Sequence, residues 1–229
     1  SIVGSIEDSG ITIGGTAITI NHHNNSQAGN KVNTFTATYV PCLSGSNSDG
    51  EIKNTSYPAE SSIHTTSDIS VSFYAAYNST AAGTQGVFAL DSSGGNTIYG
   101  ALAIFMTSTS IIMRAYENSS TVKVFSTTYS SLGVNKEDLN HYVFTFDVSA
   151  MAVLVYANNG ASNSPSTSGT ATSFSHTFTE IHLANLLSGT IYELTGKMCQ
   201  LAVWDKILSQ DEVSEIYHDG RAKSLNRHS

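Results

Sequence analysis

Three loop residues with oxygen-bearing side chains are the first candidates for chemistry in this sequence. Asp91, Asn96 and Asn118 offer carboxylate and amide oxygens, the ligand type that calcium takes in proteins. The same residue types also form turns without binding anything. We therefore treat them as candidate ligand-binding residues. Calcium is the cofactor such a site could use, and the sequence predicts no resident metal or other cofactor.

Other groupings of reactive side chains have structural explanations. Asp211, Glu212 and Glu215 fall at the beginning of a predicted helix, where acidic residues complement the helix dipole. The adjacent His22 and His23 lie in a polar loop that holds no carboxylate, which favours solvated side chains over a metal site. The sequence contains no Gly-x-Ser-x-Gly nucleophile motif. These residues predict a protein that is not an enzyme.

The cysteines and the glycosylation sequons leave alternatives open. The two cysteines, Cys42 and Cys199, are too far apart for a zinc motif. They are either buried thiols or, in an oxidising compartment, a disulfide. Sequons of the type Asn-x-Ser/Thr make candidate N-glycosylation sites of Asn24, Asn54, Asn78 and Asn118. They matter only if the source organism makes N-glycans.

The composition narrows the class of protein and its partners. Only 12% of residues are charged, against about 25% in typical proteins, and Ser, Thr, Asn and Gly are abundant. This surface is typical of extracellular or virion proteins. The formal net charge of −8 argues against nucleic acid or an anionic membrane as partner. No apolar run reaches the length of a membrane-spanning helix, so we expect no membrane insertion.

Short apolar segments recur along the chain and predict strands. The clearest alternation lies at residues 69–77. A Ser/Thr-rich stretch at 162–173 predicts a mobile loop, after which Phe174 and Phe178 are expected to continue a sheet. Many short strands at this spacing indicate an all-β sandwich. The remaining strands are predicted at 34–39, 86–90, 101–106, 111–116, 121–126, 141–147, 153–157, 181–183 and 198–204.

One short helix is predicted after the last strand, at residues 209–218. Ser209 and Glu212 have the spacing of a capping box, in which each side chain bonds the other residue's backbone N–H. Leu208 and Val213 have the spacing of a hydrophobic staple. Gly220 is suited to the left-handed conformation that ends many helices. A final core strand should therefore lead into a helix that packs back on the sheet.

Two stretches carry a family resemblance. Residues 196–220 combine the strand, an Asp-Lys pair, Leu-Ser and the helix. Residues 141–147 and 153–160 form a strand pair that begins with His-Tyr and ends in Asn-Gly. Both resemble laminin G-like domains of the concanavalin A-like lectin/glucanase superfamily, although Asn140 replaces the family's Trp. The resemblance covers about residues 35–220 and implies a two-sheet antiparallel jelly-roll sandwich with one short C-terminal helix.

The resemblance also implies a domain organisation. Residues 31–229 would form the jelly roll, and residues 1–30 an N-terminal extension or arm with a hairpin closed by Gly14 and Gly15. The pattern favours a strand on the domain's own sheet. The alternative is an arm that adds a strand to a neighbouring subunit. Since the family's first and last strands tend to run side by side, a bridge between Cys42 and Cys199 would be geometrically feasible.

Three functional hypotheses follow, of which a degraded or divergent glucanase is the least favoured. Retaining glycosidases of this fold carry Glu-x-Asp-x-x-Glu on one strand, which places two carboxyl groups about 5–5.5 Å apart, and this sequence lacks the pattern. His141, before a strand, is better explained as a packed residue than as a base, and Asp147 as a turn former. The first hypothesis is an extracellular or virion-surface structural or adhesive module that assembles with other protein subunits. The alternative is a lectin-like domain that binds cell-surface glycan, with or without calcium.

Overall fold

The computed structural model describes residues 68–81, 83–92, 95–178, 180–184 and 194–217, together with four isolated short strands nearer the N-terminus. Several predictions fall outside the described residues, namely those for His22, His23, Asn24, Cys42, Gly220 and the strand at 34–39. No helix of the described part is long and apolar enough to cross a membrane.

The described strands have short, mostly apolar sequences. They are β1 Thr12–Ile13, β2 Thr16–Ala17, β3 Leu43–Ser44, β4 Ile52–Asn54, β5 Ile69–Ala76, β6 Gln85–Asp91, β7 Leu102–Met106, β8 Ser110–Tyr116, β9 Val122–Thr128, β10 Asn140–Asp147, β11 Ala152–Ala157, β12 Ser166–Gly169, β13 Glu180–Leu183 and β14 Lys197–Trp204. One helix, α1 Gln210–Tyr217, follows them.

The strands form two stacked sheets, and every pairing is antiparallel. The five-stranded sheet has the order β11-β10-β5-β14-β3, and the seven-stranded sheet the order β12-β9-β8-β7-β6-β13-β4. Separately, β1 pairs with β2, with Thr12 opposite Ala17 and Ile13 opposite Thr16. The predicted two-sheet antiparallel jelly-roll sandwich with one short helix is confirmed.

Strand β5 shows how the five-stranded sheet divides its two faces. Because successive side chains point to opposite faces, Ile69, Val71 and Phe73 enter the core between the sheets. Ser70 and Ser72 point the other way, yet both are buried. A buried hydroxyl needs a hydrogen-bond partner, and Ser70 Oγ donates to the Lys206 carbonyl at 2.6 Å. Polar residues on this face therefore belong to a second covered layer.

Aromatic contacts tie the two sheets together. Phe125 of the seven-stranded sheet meets Phe146 of the five-stranded sheet edge to face, with ring centroids 5.9 Å apart. Phe174 packs on Phe146 at 5.3 Å with nearly perpendicular rings. Edge-to-face pairs of this kind add about 0.5–1.5 kcal/mol beyond area burial. The core is thus centred on these rings.

Helix α1 has the predicted beginning. The Ser209 N–H donates to Glu212 Oε2 at 2.9 Å, and the Glu212 N–H donates to Ser209 Oγ at 3.3 Å, which is a capping box. Leu208 and Val213 are both buried in one cluster, as a hydrophobic staple requires. A salt bridge between Lys206 and Glu212 adds a second contact to the same carboxylate.

Two predictions for residues 162–178 are wrong. The stretch expected to be a mobile loop contains β12, which pairs with the edge of β9 although all its side chains are exposed. Backbone hydrogen bonds alone hold this strand, so no apolar alternation announces it. Phe174 and Phe178 are buried in the core, but they lie in an irregular segment rather than in a strand.

Candidate functional site

The face of the seven-stranded sheet that points away from the core carries the candidate site. In β7, Leu102 and Ile104 enter the core while Ala103 and Phe105 point outward into a separate cluster. One register row crosses all seven strands of this sheet. In order it contains Ser168, Val124, Arg114, Ala103, Ala89, His182 and Lys53. Within this row, Arg114 is directly opposite the small side chain of Ala103.

Arg114 lies between aromatic rings. Its guanidinium carbon is 4.3 Å from the ring centroid of Tyr99 and 5.0 Å from that of Phe105. Tyr99 also stacks on Tyr116, with centroids 5.9 Å apart and planes within 12°. Cation–π contacts contribute roughly 0.5–2 kcal/mol each, so the rings fix the position of the guanidinium. Tyr99 and Arg114 remain half-buried, whereas Phe105 is covered.

The described residues give the guanidinium of Arg114 few hydrogen-bond partners and no ion pair. Its Nε is buried and has no hydrogen-bond partner. Burial raises the pKa of Tyr116, and the charge and hydrogen bond of Arg114 oppose that rise. Among the described residues, no carboxylate forms an ion pair with Arg114, and the pair in that part joins Lys206 to Glu212. The site therefore presents a positioned cation with donors to spare.

Two of the three residues predicted for ligand binding meet beside this cluster. Asn96 Oδ1 accepts hydrogen bonds from the Ile98 and Tyr99 N–H groups at 2.9 and 3.3 Å. Its Nδ2 donates to the Ser119 carbonyl at 2.7 Å, in the loop that Asn118 begins. Asn96 thus holds Tyr99 in place and joins the β6–β7 loop to the β8–β9 loop.

Asn118 is a turn former. Its exposed Oδ1 accepts from the N–H groups of Ser120 and Thr121, both at 3.0 Å. Asp91, the third predicted residue, ends β6 opposite Glu180, and its Oδ1 accepts from the Ser92 N–H at 2.7 Å. All three side chains shape the rim of the site, and their roles as direct ligands stay predictions.

A histidine that the sequence did not single out locks the same rim. His176 Nδ1 lies 2.7 Å from Ser92 Oγ, and its Nε2 donates to the Tyr116 carbonyl at 2.5 Å. Since a carbonyl can only accept, Nε2 carries the proton. The ring joins the ends of β6 and β8 to the segment before β13, so it positions Tyr116. Sequence reasoning also missed Tyr99 and Arg114, because only strand register brings them together.

The rim does not fit a calcium site. The oxygens of Asn96 and Asn118 already accept two or more hydrogen bonds within their own loops. In the described part of the chain, no three His, Cys, Asp or Glu side chains are grouped so that they could hold a metal ion. Calcium prefers six to eight oxygen ligands, and each of these amides has only one side-chain oxygen.

Ser72 and His141 resemble the serine–histidine pair of a hydrolase, but their role here is structural. Ser72 Oγ lies 2.7 Å from His141 Nε2. Both residues are buried beneath α1, where the His141 ring lies 5.6 Å from that of Tyr217 and 4.7 Å from that of Tyr74. Burial lowers the pKa of His141 to about 4. A neutral imidazole closed off by a helix has no access to a substrate.

The remaining predicted sites lie elsewhere. Cys199 is buried in β14 opposite Tyr74, and the disulfide stays a prediction because Cys42 lies outside the described residues. Nearby, β14 pairs with β3 through Met198 and Leu43. Among the sequons, Asn54 lies in β4 and Asn118 is exposed in its turn. Asn78 is half-buried.

Asn78 lines a small cavity of about 320 Å³ at the turn after β5, together with Tyr77, Glu137, Thr195 and Lys197. Its Nδ2 donates to the Thr195 carbonyl at 3.1 Å. Thr195 Oγ1 is buried without a hydrogen-bond partner. The cavity has one acidic and one basic side chain at its wall, Glu137 and Lys197.

Solved structures with the same fold include toxin receptor-binding domains and a pentraxin. The chain resembles the receptor-binding domain of botulinum neurotoxin D, with a TM-score of 0.59 and 12% identity over 84% of this chain and 46% of that one. It resembles a heptameric SAP-like pentraxin from Limulus polyphemus, with a TM-score of 0.54 and 13% identity over 76% of this chain and 80% of that one. A botulinum neurotoxin serotype D ligand-binding domain in complex with N-acetylneuraminic acid matches with a TM-score of 0.57 and 12% identity over 84% and 45%.

These matches show the fold alone, because the identities are low. The chain spans about half the length of the toxin domains. No curated protein matches the sequence. Residues 48–214, which are most of the chain, match a laminin G family described as part of the concanavalin A-like lectin/glucanases superfamily. The two resemblance stretches lie largely within this match. The chain is therefore a laminin G-like member of the concanavalin A-like lectin/glucanases superfamily.

Proposed function

We propose that this domain is a non-catalytic adhesive module that binds glycan on the outer face of the seven-stranded sheet. The observation that carries the proposal is the half-exposed pair of Tyr99 and Arg114, whose guanidinium lies 4.3 Å from the tyrosine ring centroid. An aromatic ring offers a flat apolar surface to the C–H face of a sugar. A guanidinium offers several fixed donors to sugar oxygens.

The fold supports this proposal. The family includes lectins as well as glucanases. One matched toxin domain was determined in complex with N-acetylneuraminic acid, although only 45% of that chain is matched here. Hydrogen bonds from the side chains of Asn96 and His176 join the rim loops to each other, so the binding face would be preorganised.

A glycan array tests the proposal. We expect the wild-type domain to bind a subset of glycans, equally with and without a chelator. Tyr99→Ala should weaken that binding at least roughly tenfold, since it removes the stacking surface. The matched control is Leu139→Ala, an exposed apolar side chain, 41% accessible and distant in sequence from the site. The proposal fails if the wild type binds no glycan, or if Tyr99→Ala binds as well as Leu139→Ala.

A structural role in an assembly is the second candidate, at an extracellular or virion surface. The observation favouring it is the hairpin of β1 and β2, which lies within residues 1–30 and outside the family match at 48–214. Under this proposal residues 1–30 contact other subunits. Deleting them should leave the domain folded by circular dichroism and unable to join oligomers. Unfolding of the truncated monomer would instead place the segment on its own sheet.

A further inference from the structure

We infer that the Arg114 face selects sugars that carry a carboxylate, an inference that rests on the proposed glycan-binding function. Its starting point is the imbalance of charge at this face. The guanidinium has five N–H donors. Nε has no hydrogen-bond partner, and no carboxylate of the described residues pairs with the group. A partly buried cation without a counterion is costly, so an anionic ligand group would lower its free energy.

The shape of the guanidinium favours a carboxylate over other anions. Its planar fork matches the two oxygens of a carboxylate, and such bonds are about twice as strong as neutral ones. The rings of Tyr99 and Phe105 hold the guanidinium plane in place. The same tyrosine would pack on the sugar ring that bears the carboxylate. A single monosaccharide acid could therefore use both groups at once.

The acidic residues of the rim are engaged away from Arg114. Glu117 Oε2 accepts from the Thr172 N–H at 3.0 Å. That bond and the hydroxyl of Ser173 lower the pKa of the Glu117 carboxyl. Asp91 Oδ1 accepts from the Ser92 N–H. The rim carboxylates are thus stabilised by their own loops, and they leave the guanidinium to a ligand.

A second cation–π pair, formed by Lys136 and Tyr77, differs from Arg114 in its hydrogen bonding. Lys136 Nζ lies 5.4 Å from the ring centroid of Tyr77 and donates to the Ser108 carbonyl at 2.9 Å. Its charge thus has both an aromatic and a carbonyl partner. Arg114 has the rings and a hydrogen bond with Tyr116, but its buried Nε has no hydrogen-bond partner. Lys136→Gln is accordingly the matched control for Arg114, since it removes one positive charge and one cation–π contact elsewhere.

The experiment measures affinities by calorimetry or ligand-observed NMR at pH 7. The probes are the methyl glycosides of glucuronic acid and N-acetylneuraminic acid, each compared with its own methyl ester. A further probe is the sulfate ester of a neutral sugar, which is an anion without a carboxylate. We expect the wild type to prefer at least one free acid over its ester by about tenfold or more, the size of one charge-assisted contact. Which acid is preferred identifies the source of the carboxylate.

The variants separate this inference from the proposed function. Arg114→Gln should bind acid and ester equally, while Lys136→Gln should keep the preference. Arg114→Lys retains the charge without the fork, so it should lose most of the preference, and its thermal unfolding checks that the face stays folded. Equal wild-type binding of acid and ester overturns the inference but leaves the proposed function standing. So does a sulfate ester that binds as tightly as the acids. Failure to bind any sugar overturns both.

Discussion

The outer faces of the two sheets differ in how far their apolar groups are covered and their polar groups hydrogen-bonded. On the five-stranded sheet, Val143 and Tyr156 are covered by Leu208 and Val213 from the helix segment. On the seven-stranded sheet, no described helix covers Arg114, which remains half-buried with an unpaired Nε. One face is closed by the chain's own C-terminal segment, and the other retains unmet hydrogen-bonding capacity.

The presence of aromatic rings does not distinguish the two outer faces. Both faces contain aromatic rings next to a basic or titratable side chain. Under the helix, His141 and Ser72 satisfy each other, and Tyr74 donates to the Tyr217 carbonyl at 3.2 Å. Burial raises the pKa of Tyr74 to about 12, so it stays neutral. Around Arg114, no carboxylate of the described residues forms an ion pair with the guanidinium. The difference lies in which polar groups have partners within the described part of the chain.

The largest expected effect comes from opening the closed face. Leu208→Ala removes a 98% buried side chain between the helix and the sheet. We expect a loss of about 2–5 kcal/mol in the free energy of unfolding, measured by denaturant titration. Ile112→Ala, a half-buried change on the other outer face, should cost distinctly less. Equal losses would show that the helix does not close its face as described.

The buried histidine gives the closed face a pH dependence. Since burial lowers the pKa of His141 from 6.5 to about 4, the neutral form is favoured in the folded state. Its contribution to stability is present above pH 6.5 and is lost as the pH falls through about 4. The shift corresponds to about 3 kcal/mol, with no further loss from this group below its folded pKa.

The test compares the free energy of unfolding of the wild type and His141→Gln between pH 7 and pH 4. Asp147, Glu117 and Glu212 also titrate in acid, because hydrogen bonds lower their pKa values. Only the difference between the two proteins reports on His141. That difference should shrink or change sign as the pH falls. A constant difference would mean that His141 is not neutral and desolvated.

The cap of the covering helix has a smaller effect. Ser209→Ala removes the acceptor for the Glu212 N–H and should cost about 1 kcal/mol in thermal or denaturant unfolding. Ser214→Ala is the control within the same helix, because its hydroxyl only bonds back to the Gln210 carbonyl and does not cap an end. If both substitutions are neutral, the capping box does not stabilise the closed face.

The last prediction is that the protein hydrolyses no polysaccharide. The sequence lacks the Glu-x-Asp-x-x-Glu strand pattern that places the two catalytic carboxylates of retaining glycosidases side by side. Incubation with laminarin, carrageenan, agarose or xylan should release no reducing ends. Turnover that disappears when a single carboxylate is changed would contradict the non-catalytic proposal.

The elements that the sequence predicted well are those specified by neighbouring residues. The capping box joins Ser209 to Glu212 across three residues, so its spacing can be read directly. The alternation in β5 likewise predicts a strand, because side-chain direction reverses at each residue. Strand β12 was missed because it has no apolar residue, and its pairing with β9 depends on a partner about 40 residues away.

For the candidate site, the sequence identified the rim and missed the centre. Asn96 and Asn118 could be found because polar residues between strands form turns locally. Arg114, Tyr99 and Phe105 come from two strands and a loop, and only the register that sets Arg114 opposite Ala103 brings them together. The sequence by itself therefore determined the family, the sandwich class and the helix cap. The tertiary structure alone decided that α1 covers the outer face of the five-stranded sheet and that Arg114 Nε has no hydrogen-bond partner. Both features depend on contacts between residues distant in the chain.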